Sequence, residues 1–508
     1  MKNNRKTNLI RILRISFICL IAGHLVLGAY FPSAFINLMG LAVLFIILFI
    51  TCIQRNDVFS FILIIYFCSH FRYGVSNGGT FNLIAFFVIL AFFFFQKRVL
   101  EIEIKDRWIN ILLLVLIFFN ILGWMTKNPS PRTDLLFGII SFFGYIAIFI
   151  LISRTYLSEK RLNLFVSISI VLTVYLAFTS LNSYFGIIKV ASPLIWGVER
   201  VGSLVQSSML GDSELYGEHG LLILLFYIPF LLSTITKTKI YINEKFLYFG
   251  ILFSSVNLLL SRSRSVFMLG VTGIILLFFF LRIFDLKVIN KTGKFIPGLL
   301  TSIVVLFLAG QLININYVFE RLGDVEFDEL SVSGFITGEK INRSYAFSFA
   351  LERLKSDSWQ VGFGWGTIDS NRTAWFVDPE VPRADSHSLY LSLPMIFGWI
   401  GSAAFLGIIL ITLFRLNKLL IDHRRSTSYL LLPALGFSLM LVFFLFNQYK
   451  INAMRWPHYY MIVWVWLGMA NAVINSFKYN QKLAKKSSHF KEDLNSVKVN
   501  DRQQSKRS

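Results

Sequence analysis

The chain has 508 residues, of which 55% are apolar, and its mean hydropathy is +0.64. This composition excludes an ordinary soluble enzyme and predicts a polytopic helical membrane protein. The three cysteines all fall in apolar segments, at Cys19, Cys52 and Cys68, so we expect neither a disulfide framework nor a metal site. The formal net charge of +21 would suit a nucleic-acid partner, but the placement of the basic residues argues against one.

Taken in chain order, about fourteen apolar segments approach the ~20 residues that a bilayer core requires. Their centres lie at Cys19, Val43, Ile64, Phe87, Val115, Ile146, Val171, Leu225, Phe253, Ile275, Leu306, Leu406, Leu439 and Val465. We therefore predict an all-α polytopic membrane protein with a large extracytoplasmic loop that contains short amphipathic helices. The predicted parts are an N-terminal transmembrane bundle (1–312), this loop (313–386), C-terminal transmembrane helices (387–478) and a basic, disordered cytoplasmic tail (479–508).

The basic residues are distributed unequally between the two faces of the predicted membrane protein. With a cytoplasmic N-terminus, roughly 33 Lys and Arg residues fall inside and roughly 16 outside, as the positive-inside rule requires. This predicts a multi-pass protein of the cell membrane with both termini in the cytoplasm. The basic tail would contact anionic membrane lipid, and no nucleic-acid partner is expected.

Three arginines lie at or in predicted extracytoplasmic segments. Arg200 belongs to the first long outer loop, which we expect to run from Asn182 to Gly220. Arg264 belongs to a polar interruption between two apolar stretches, and Arg343 belongs to the large loop. A guanidinium group stays charged, and its planar fork matches the oxygens of a phosphate. The three arginines are therefore candidate ligands for a diphosphate at the membrane surface. The alternative for each is a side chain that simply reaches from a helix end to water.

His387 follows the large loop and begins a predicted span, with Tyr390 on the same helical face. An imidazole titrates near neutral pH and can accept a hydroxyl proton, although an interfacial anchor is the simpler reading of such a histidine. Glu214 and Glu218 are four residues apart and can share a helix face near a substrate. Ordinary surface carboxylates are the alternative for that pair.

In order along the chain, three stretches resemble the O-antigen ligase and polymerase superfamily. The segment 260–267 resembles its Ser-Arg signature and singles out Arg264. Residues 343–367, from Arg343 to the glycine turn at 362–366, resemble its loop arginine, helix and turn. Residues 386–391, followed by Gly398 and Gly401, resemble its histidine segment. The passage from Arg200 to 222 is similar to an earlier part of the family pattern.

The resemblance implies a metal-independent membrane glycosyltransferase that needs no cofactor and uses an undecaprenyl-diphosphate-linked oligosaccharide as donor. It implies that His387 is the base of an inverting transfer and that Arg264, Arg343 and Arg200 bind the diphosphate. Glu214, Glu218 and Tyr390 would be further substrate contacts, and a chain-length regulator is an optional partner. Ser388, where the family usually has Asn, and Glu214 count against a ligase.

Three functions follow from these expectations, and the first is a polymerase of O-antigen, capsule or exopolysaccharide repeat units. The second is a ligase that passes polymer to a lipid or wall acceptor. The third, of another class, is a flippase or transporter of lipid-linked sugars. A transporter would need charged residues at mid-membrane depth, and the predicted spans contain few.

Overall fold

The computed structural model describes residues 46–54, 57–70, 79–96, 106–126, 132–185, 213–231, 242–261, 388–424, 428–449 and 451–504, with short internal gaps and a few isolated positions besides. All regular secondary structure in these ranges is helical. The α-helices are α1 (Val58–Cys68), α2 (Gly79–Gln96), α3 (Arg107–Thr126), α4 (Arg132–Ser153), α5 (Glu159–Phe185), α6 (Ser213–Leu231), α7 (Glu244–Leu260), α8 (Leu389–Asp422), α9 (Leu431–Asn447) and α10 (Pro457–Gln504), with a 3-10 turn at Ala453–Arg455 between the last two.

Four of the described helices contain a stretch long and apolar enough to cross a membrane. These stretches are Glu159–Leu181, Glu214–Leu231, Ile396–Asp422 and His458–Ala484. Five shorter apolar helices accompany them. The described part of the chain is therefore all-helical, as expected, and compatible with an α-helical membrane protein, whereas the fourteen spans and the large loop stay predictions. Ten of the predicted centres, Ile64 to Phe253 and Leu406 to Val465, lie within α1 to α10.

Two boundaries differ from the sequence-based expectation. The first long outer loop was expected to run from Asn182 to Gly220, but α5 extends to Phe185 and α6 begins at Ser213. The tail from 479 was expected to be disordered, but α10 continues as a helix to Gln504. Neither Gly nor Pro follows Gly468, so nothing in the sequence interrupts propagation from the buried part of α10. Apart from the single position Lys355, the large loop lies outside the described residues.

The helices pack as an apolar bundle in which α6 and the apolar stretch of α10 are almost wholly buried. Helix α6 lies between α7 and α9, while α10 packs against α4, α8 and α9. Helices α3 and α8 pack along each other at the outside of the bundle. Their outward faces carry exposed apolar side chains, among them Leu114 and Phe118 of α3 and Leu410 and Phe414 of α8. Lipid is the solvent that suits such faces.

Helix α8 is broken near its start. Gly398 has a φ of 68° and a ψ of 174°, a backbone conformation that only glycine adopts readily. Pro394 lies one turn before it, where the missing N–H already weakens the helix. The break separates the short segment 389–397 from the long apolar part of α8.

Long-range hydrogen bonds define two ends of the bundle. At one, which we call the Arg415 end, Arg415 contacts Asp106 and the Tyr429 hydroxyl donates to Leu157 O at 2.7 Å. At the other, the Glu218 end, α6 and α8 begin and α7 and α9 finish. At this end Gln448, the residue after α9, donates a hydrogen bond to Glu218. The candidate functional site lies around Glu218.

Candidate functional site

Glu218 is a fully buried carboxylate near the start of α6. Its Oε2 atom accepts a hydrogen bond of 2.9 Å from Asn447 Nδ2, and its Oε1 atom accepts one of 2.8 Å from Gln448 Nε2. The same Gln448 nitrogen lies 3.1 Å from Oε2. A buried charge is costly unless it is well bonded, and here the last residue of α9 and the residue after it supply the donors.

The orientation of the Gln448 amide follows from its other partner. Gln448 Oε1 accepts a hydrogen bond of 2.9 Å from the backbone N–H of Ala453. A backbone N–H can only donate, so the oxygen of the amide must face Ala453 and its NH₂ group must face Glu218. Glu218 is consequently an acceptor in both contacts with Gln448.

The same glutamine connects the cluster to the first turn of α8. The backbone N–H of Leu389 lies 3.0 Å from Gln448 O and 3.2 Å from Ile451 O. One residue further on, the Tyr390 hydroxyl donates to Leu445 O at 2.6 Å. The chain is therefore held against the end of α9 directly after Ser388, which is the residue that follows His387 in sequence.

On its other side, α6 lies directly against the end of α7. A Cβ atom added to Gly217 would lie 2.9 Å from Ser261 Cβ, so only glycine allows this approach. The Tyr216 hydroxyl donates to Asn257 Oδ1 at 2.6 Å, and Asn257 Nδ2 donates to Thr173 O at 3.1 Å. The polar interruption of the sequence analysis begins at Ser261, and we call it the polar corner. Residues 216–218 thus bring this corner next to the Glu218 cluster.

Two buried histidines lie beside this carboxylate. His219 follows Glu218 in α6, and its Nε2 atom lies 2.9 Å from Nε2 of His70, which ends the turn after α1. His70 Nδ1 lies 2.7 Å from Tyr66 O, and a carbonyl oxygen can only accept. His70 therefore carries a proton on Nδ1. When both rings are neutral, His70 Nε2 is the acceptor and His219 Nε2 is the donor.

That assignment leaves a lone pair on His219 Nδ1. Among the described residues this buried atom has no hydrogen-bond partner, and the same holds for Asn447 Oδ1. An unsatisfied buried acceptor costs about 1–3 kcal/mol. A cluster with two such atoms next to a buried carboxylate is suited to a ligand or water molecule that donates hydrogen bonds.

Large aromatic side chains enclose the cluster. The His219 ring lies 5.8 Å from the Trp466 ring, and Tyr459 meets the same indole edge-on at 6.2 Å. Trp466 Nε1 donates to the Tyr66 hydroxyl at 3.4 Å, and Tyr459 interacts with the Glu218 carboxylate. These rings are all buried, so the histidines and the glutamate share an environment of low polarity.

Of the predicted site residues, three are described. Glu218 is at the centre of the cluster, so the alternative of an ordinary surface carboxylate is wrong for it. Glu214 lies half-buried in the first turn of α6, where the helix dipole favours a negative charge. Tyr390 is bonded to the end of α9. The other four, Arg200, Arg264, Arg343 and His387, lie outside the described residues, so their roles stay predictions.

Sequence reasoning did not find the partners of Glu218. Asn447 and Gln448 end an apolar helix, where polar residues ordinarily face water. His70 and His219 are 149 positions apart, and each alone reads as a satisfied core histidine. One signal was available in the order of the predicted spans. With a cytoplasmic N-terminus, this order assigns to the outer face the segment ends that carry Glu218, His219, His70, Asn447 and Gln448.

The described part of the chain thus has the features of an α-helical membrane protein, with four helices long and apolar enough to cross a membrane and a buried acidic and imidazole cluster at one end of the bundle. No protein-family model matches the sequence, and a comparison with curated proteins finds no match.

Proposed function

We propose that the chain is a membrane glycosyltransferase that polymerises lipid-linked oligosaccharide repeat units at the extracytoplasmic face. One observation carries the proposal most directly. Three segments that the sequence singles out, 214–218, the corner beginning at Ser261 and the start of α8 at 388–390, meet at one end of the bundle. They are far apart along the chain, and a polysaccharide polymerase needs them together.

In this proposal the donor is an oligosaccharide on undecaprenyl diphosphate. The hydroxyl oxygen of an acceptor sugar attacks the anomeric carbon with inversion, and the bond to the diphosphate breaks with its electron pair on the leaving oxygen. Arg264, Arg343 and Arg200 would stabilise the charge on the departing diphosphate. His387 would take the hydroxyl proton. The activated carrier supplies the free energy, so no nucleotide is required.

The depth of the cluster supports a reaction at the membrane surface. Glu218 is the sixth residue of α6, which places it only about 8 Å along the helix axis from the first residue. A lipid-linked diphosphate carries its charge near the headgroup plane, at a comparable depth.

The orientation of the bundle is supported by charge. Basic residues gather at the Arg415 end, including Arg154, Arg161, Lys418 and Lys478. The positive-inside rule assigns such an end to the cytoplasm. The Glu218 end would then face outward, where the lipid-linked donor is presented after translocation.

The direct test is incubation of purified protein with a synthetic lipid-diphosphate oligosaccharide, with and without a chelator. We expect products that lengthen by whole repeat units in both reactions. His387→Ala should abolish extension, and Arg264→Lys should do so although it keeps the charge, because the bidentate fork is lost. Unextended donor in the wild-type reaction, with a correctly folded protein, would refute the proposal.

A ligase and a polymerase are separated in cells that lack the protein. Loss of a polymerase leaves single repeat units, whereas loss of a ligase leaves long chains on the carrier lipid.

One observation favours the transporter alternative. Glu218, His219 and His70 are buried within a bundle of apolar helices, and such groups often carry protons in membrane transporters. Proteoliposomes distinguish the two classes. A transporter moves a fluorescent lipid-linked oligosaccharide between leaflets without lengthening it, whereas a polymerase lengthens it without requiring exchange between leaflets.

A further inference from the structure

The imidazole pair has no role in the function proposed above. His70, in the turn after α1, and His219, in α6, contact each other through their ring nitrogens. Both side chains are buried. A purely structural histidine would satisfy both of its nitrogens. His70 does so, through Tyr66 O and His219, but His219 satisfies only Nε2 within the described part of the chain.

We propose that His219 and His70 form a proton-accepting pair, in which the bare Nδ1 atom of His219 receives the proton that His387 takes from a ligand hydroxyl. The ligand class is a hydroxyl donor, such as an acceptor sugar. Asn447 Oδ1, on the amide that binds Glu218, is a further unpartnered acceptor among the described residues. The role in glycosyl transfer rests on the proposed function, whereas the protonation of the pair does not.

The proton balance is simple. The neutral pair holds two ring protons, one on His70 Nδ1 and one on His219 Nε2. When His219 Nδ1 takes a third, the hydrogen bond between the two Nε2 atoms lets the positive charge be shared by both rings. The O–H bond of the hydroxyl breaks, and its electron pair stays on the oxygen that attacks the anomeric carbon.

Burial opposes a positive charge on the pair, so a shared cation depends on the groups that lie around it. The centre of the His219 ring lies 5.8 Å from that of Trp466, with an angle of 30° between the rings, and an aromatic ring attracts a positive charge that lies over its face. The carboxylate of Glu218 precedes His219 in the same helix. Among the described residues, the Tyr66 ring contacts His70, and the Tyr459 hydroxyl interacts with Glu218 and Tyr66. Metal binding is a poorer fit, because no group of three His, Cys, Asp or Glu is found among the described residues.

The first experiment does not depend on enzymatic activity. Protein with ¹⁵N-labelled histidine is reconstituted in bilayers, and the signals of His219 and His70 are assigned from His219→Gln and His70→Gln proteins. We expect His219 to carry its proton on Nε2, with Nδ1 bare, and to show coupling to His70 across the hydrogen bond. On acidification the two rings should first share one added proton, and a second proton should bind only at lower pH. A proton on Nδ1 of neutral His219, or two rings that titrate independently, would overturn the proposal.

The second experiment measures extension rate against pH. His219→Gln keeps a donor to His70 Nε2 but has no basic nitrogen, so kcat should fall about 100-fold and the acidic limb of the profile should disappear. His423→Gln is the matched control, because His423 is at the Arg415 end and bonds Gln481 at 3.0 Å. It should keep the wild-type profile. An unchanged rate and profile in His219→Gln would also overturn the proposal.

The two failures are distinguishable. If wild-type protein extends no lipid-linked oligosaccharide, the proposed function fails, while the ¹⁵N result on the pair stands by itself. If extension occurs and His219→Gln retains it in full, the pair is excluded and the polymerase survives.

Discussion

The carboxylate of Glu218 and the amide of Gln448 form a buried hydrogen-bonded pair whose direction is fixed by the backbone N–H of Ala453. The pair joins the start of α6 to the end of α9 and, through Gln448 O, to the first residue of α8. It therefore links the segment that follows His387 to the segment that carries the acidic residues.

Glu218→Gln should weaken this connection, because the neutral amide has one acceptor oxygen where the carboxylate has two, so it cannot accept from both Asn447 and Gln448 in the observed arrangement. An unsatisfied buried group costs about 1–3 kcal/mol, so we expect lower thermal stability and loss of extension activity. Glu214→Gln is the matched control in the same helix, since Glu214 is only half-buried. It should retain most activity.

The double exchange Glu218→Gln with Gln448→Glu separates positioning from chemistry. In that protein the new carboxylate can accept from Ala453 N and from the new amide, so every hydrogen bond of the pair is restored. If Glu218 acts by positioning, stability and extension should both recover. Recovered stability without activity would show instead that a carboxylate is required at position 218 itself.

Gly217→Ala should push α6 away from the end of α7, because the added methyl group would meet Ser261. Overpacking of this kind costs about 1–3 kcal/mol. The second change Ser261→Gly removes the obstructing side chain, so the double variant should recover activity relative to Gly217→Ala. Equal activity in the single variant and the wild type would show that this close approach has no importance for the site.

Gly398→Ala should destabilise the break in α8. The observed φ of 68° is strained for alanine by about 1–3 kcal/mol, and the strain falls on the segment that holds Leu389 and Tyr390. Gly407→Ala is a control in the same helix, where the added methyl group would meet only a Leu112 side-chain atom at 3.2 Å. Thermal unfolding should show a lower midpoint for the first variant and little change for the second. Equal midpoints would contradict the prediction.

Arg415→Ala should lower stability without changing kcat. Arg415 Nη2 donates to Asp106 Oδ1 at 2.8 Å, and its removal leaves a largely buried carboxylate without this partner. The exposed Lys418, one turn further along α8, supplies the control Lys418→Ala. A fall in kcat of Arg415→Ala at a temperature where the protein is folded would show that the Arg415 end takes part in the reaction.

The positions of the helices could be predicted because membrane spans are long and continuously apolar. The sequence placed a centre within every one of α1 to α10, since lipid tolerates few polar residues there. The start of α6 was misplaced because Glu214, Glu218 and His219 look like loop residues. Their burial depends on partners from α9 and from the turn after α1, which no local pattern reveals.

The polar cluster shows the same limit. Glu218 was a candidate because it lies four residues after Glu214, but Gln448 and His70 become meaningful only once the chain is folded. Hydrogen-bond partners 230 and 149 positions apart leave no periodic signal in a single sequence. The broken start of α8 was similarly invisible, although Gly398 and Pro394 could be read as a weak point in the helix.

The location of the reaction is tested most directly by photo-cross-linking with a lipid diphosphate that carries a photoreactive group on its first sugar. Cross-linked peptides are mapped by mass spectrometry, with unlabelled donor as competitor. We predict competitor-sensitive labelling at the Glu218 end, in peptides that contain residues 213–220, 261–266 or 388–392. Labelling confined to the Arg415 end, or labelling that excess donor does not reduce, would contradict a glycosyl-transfer site around Glu218.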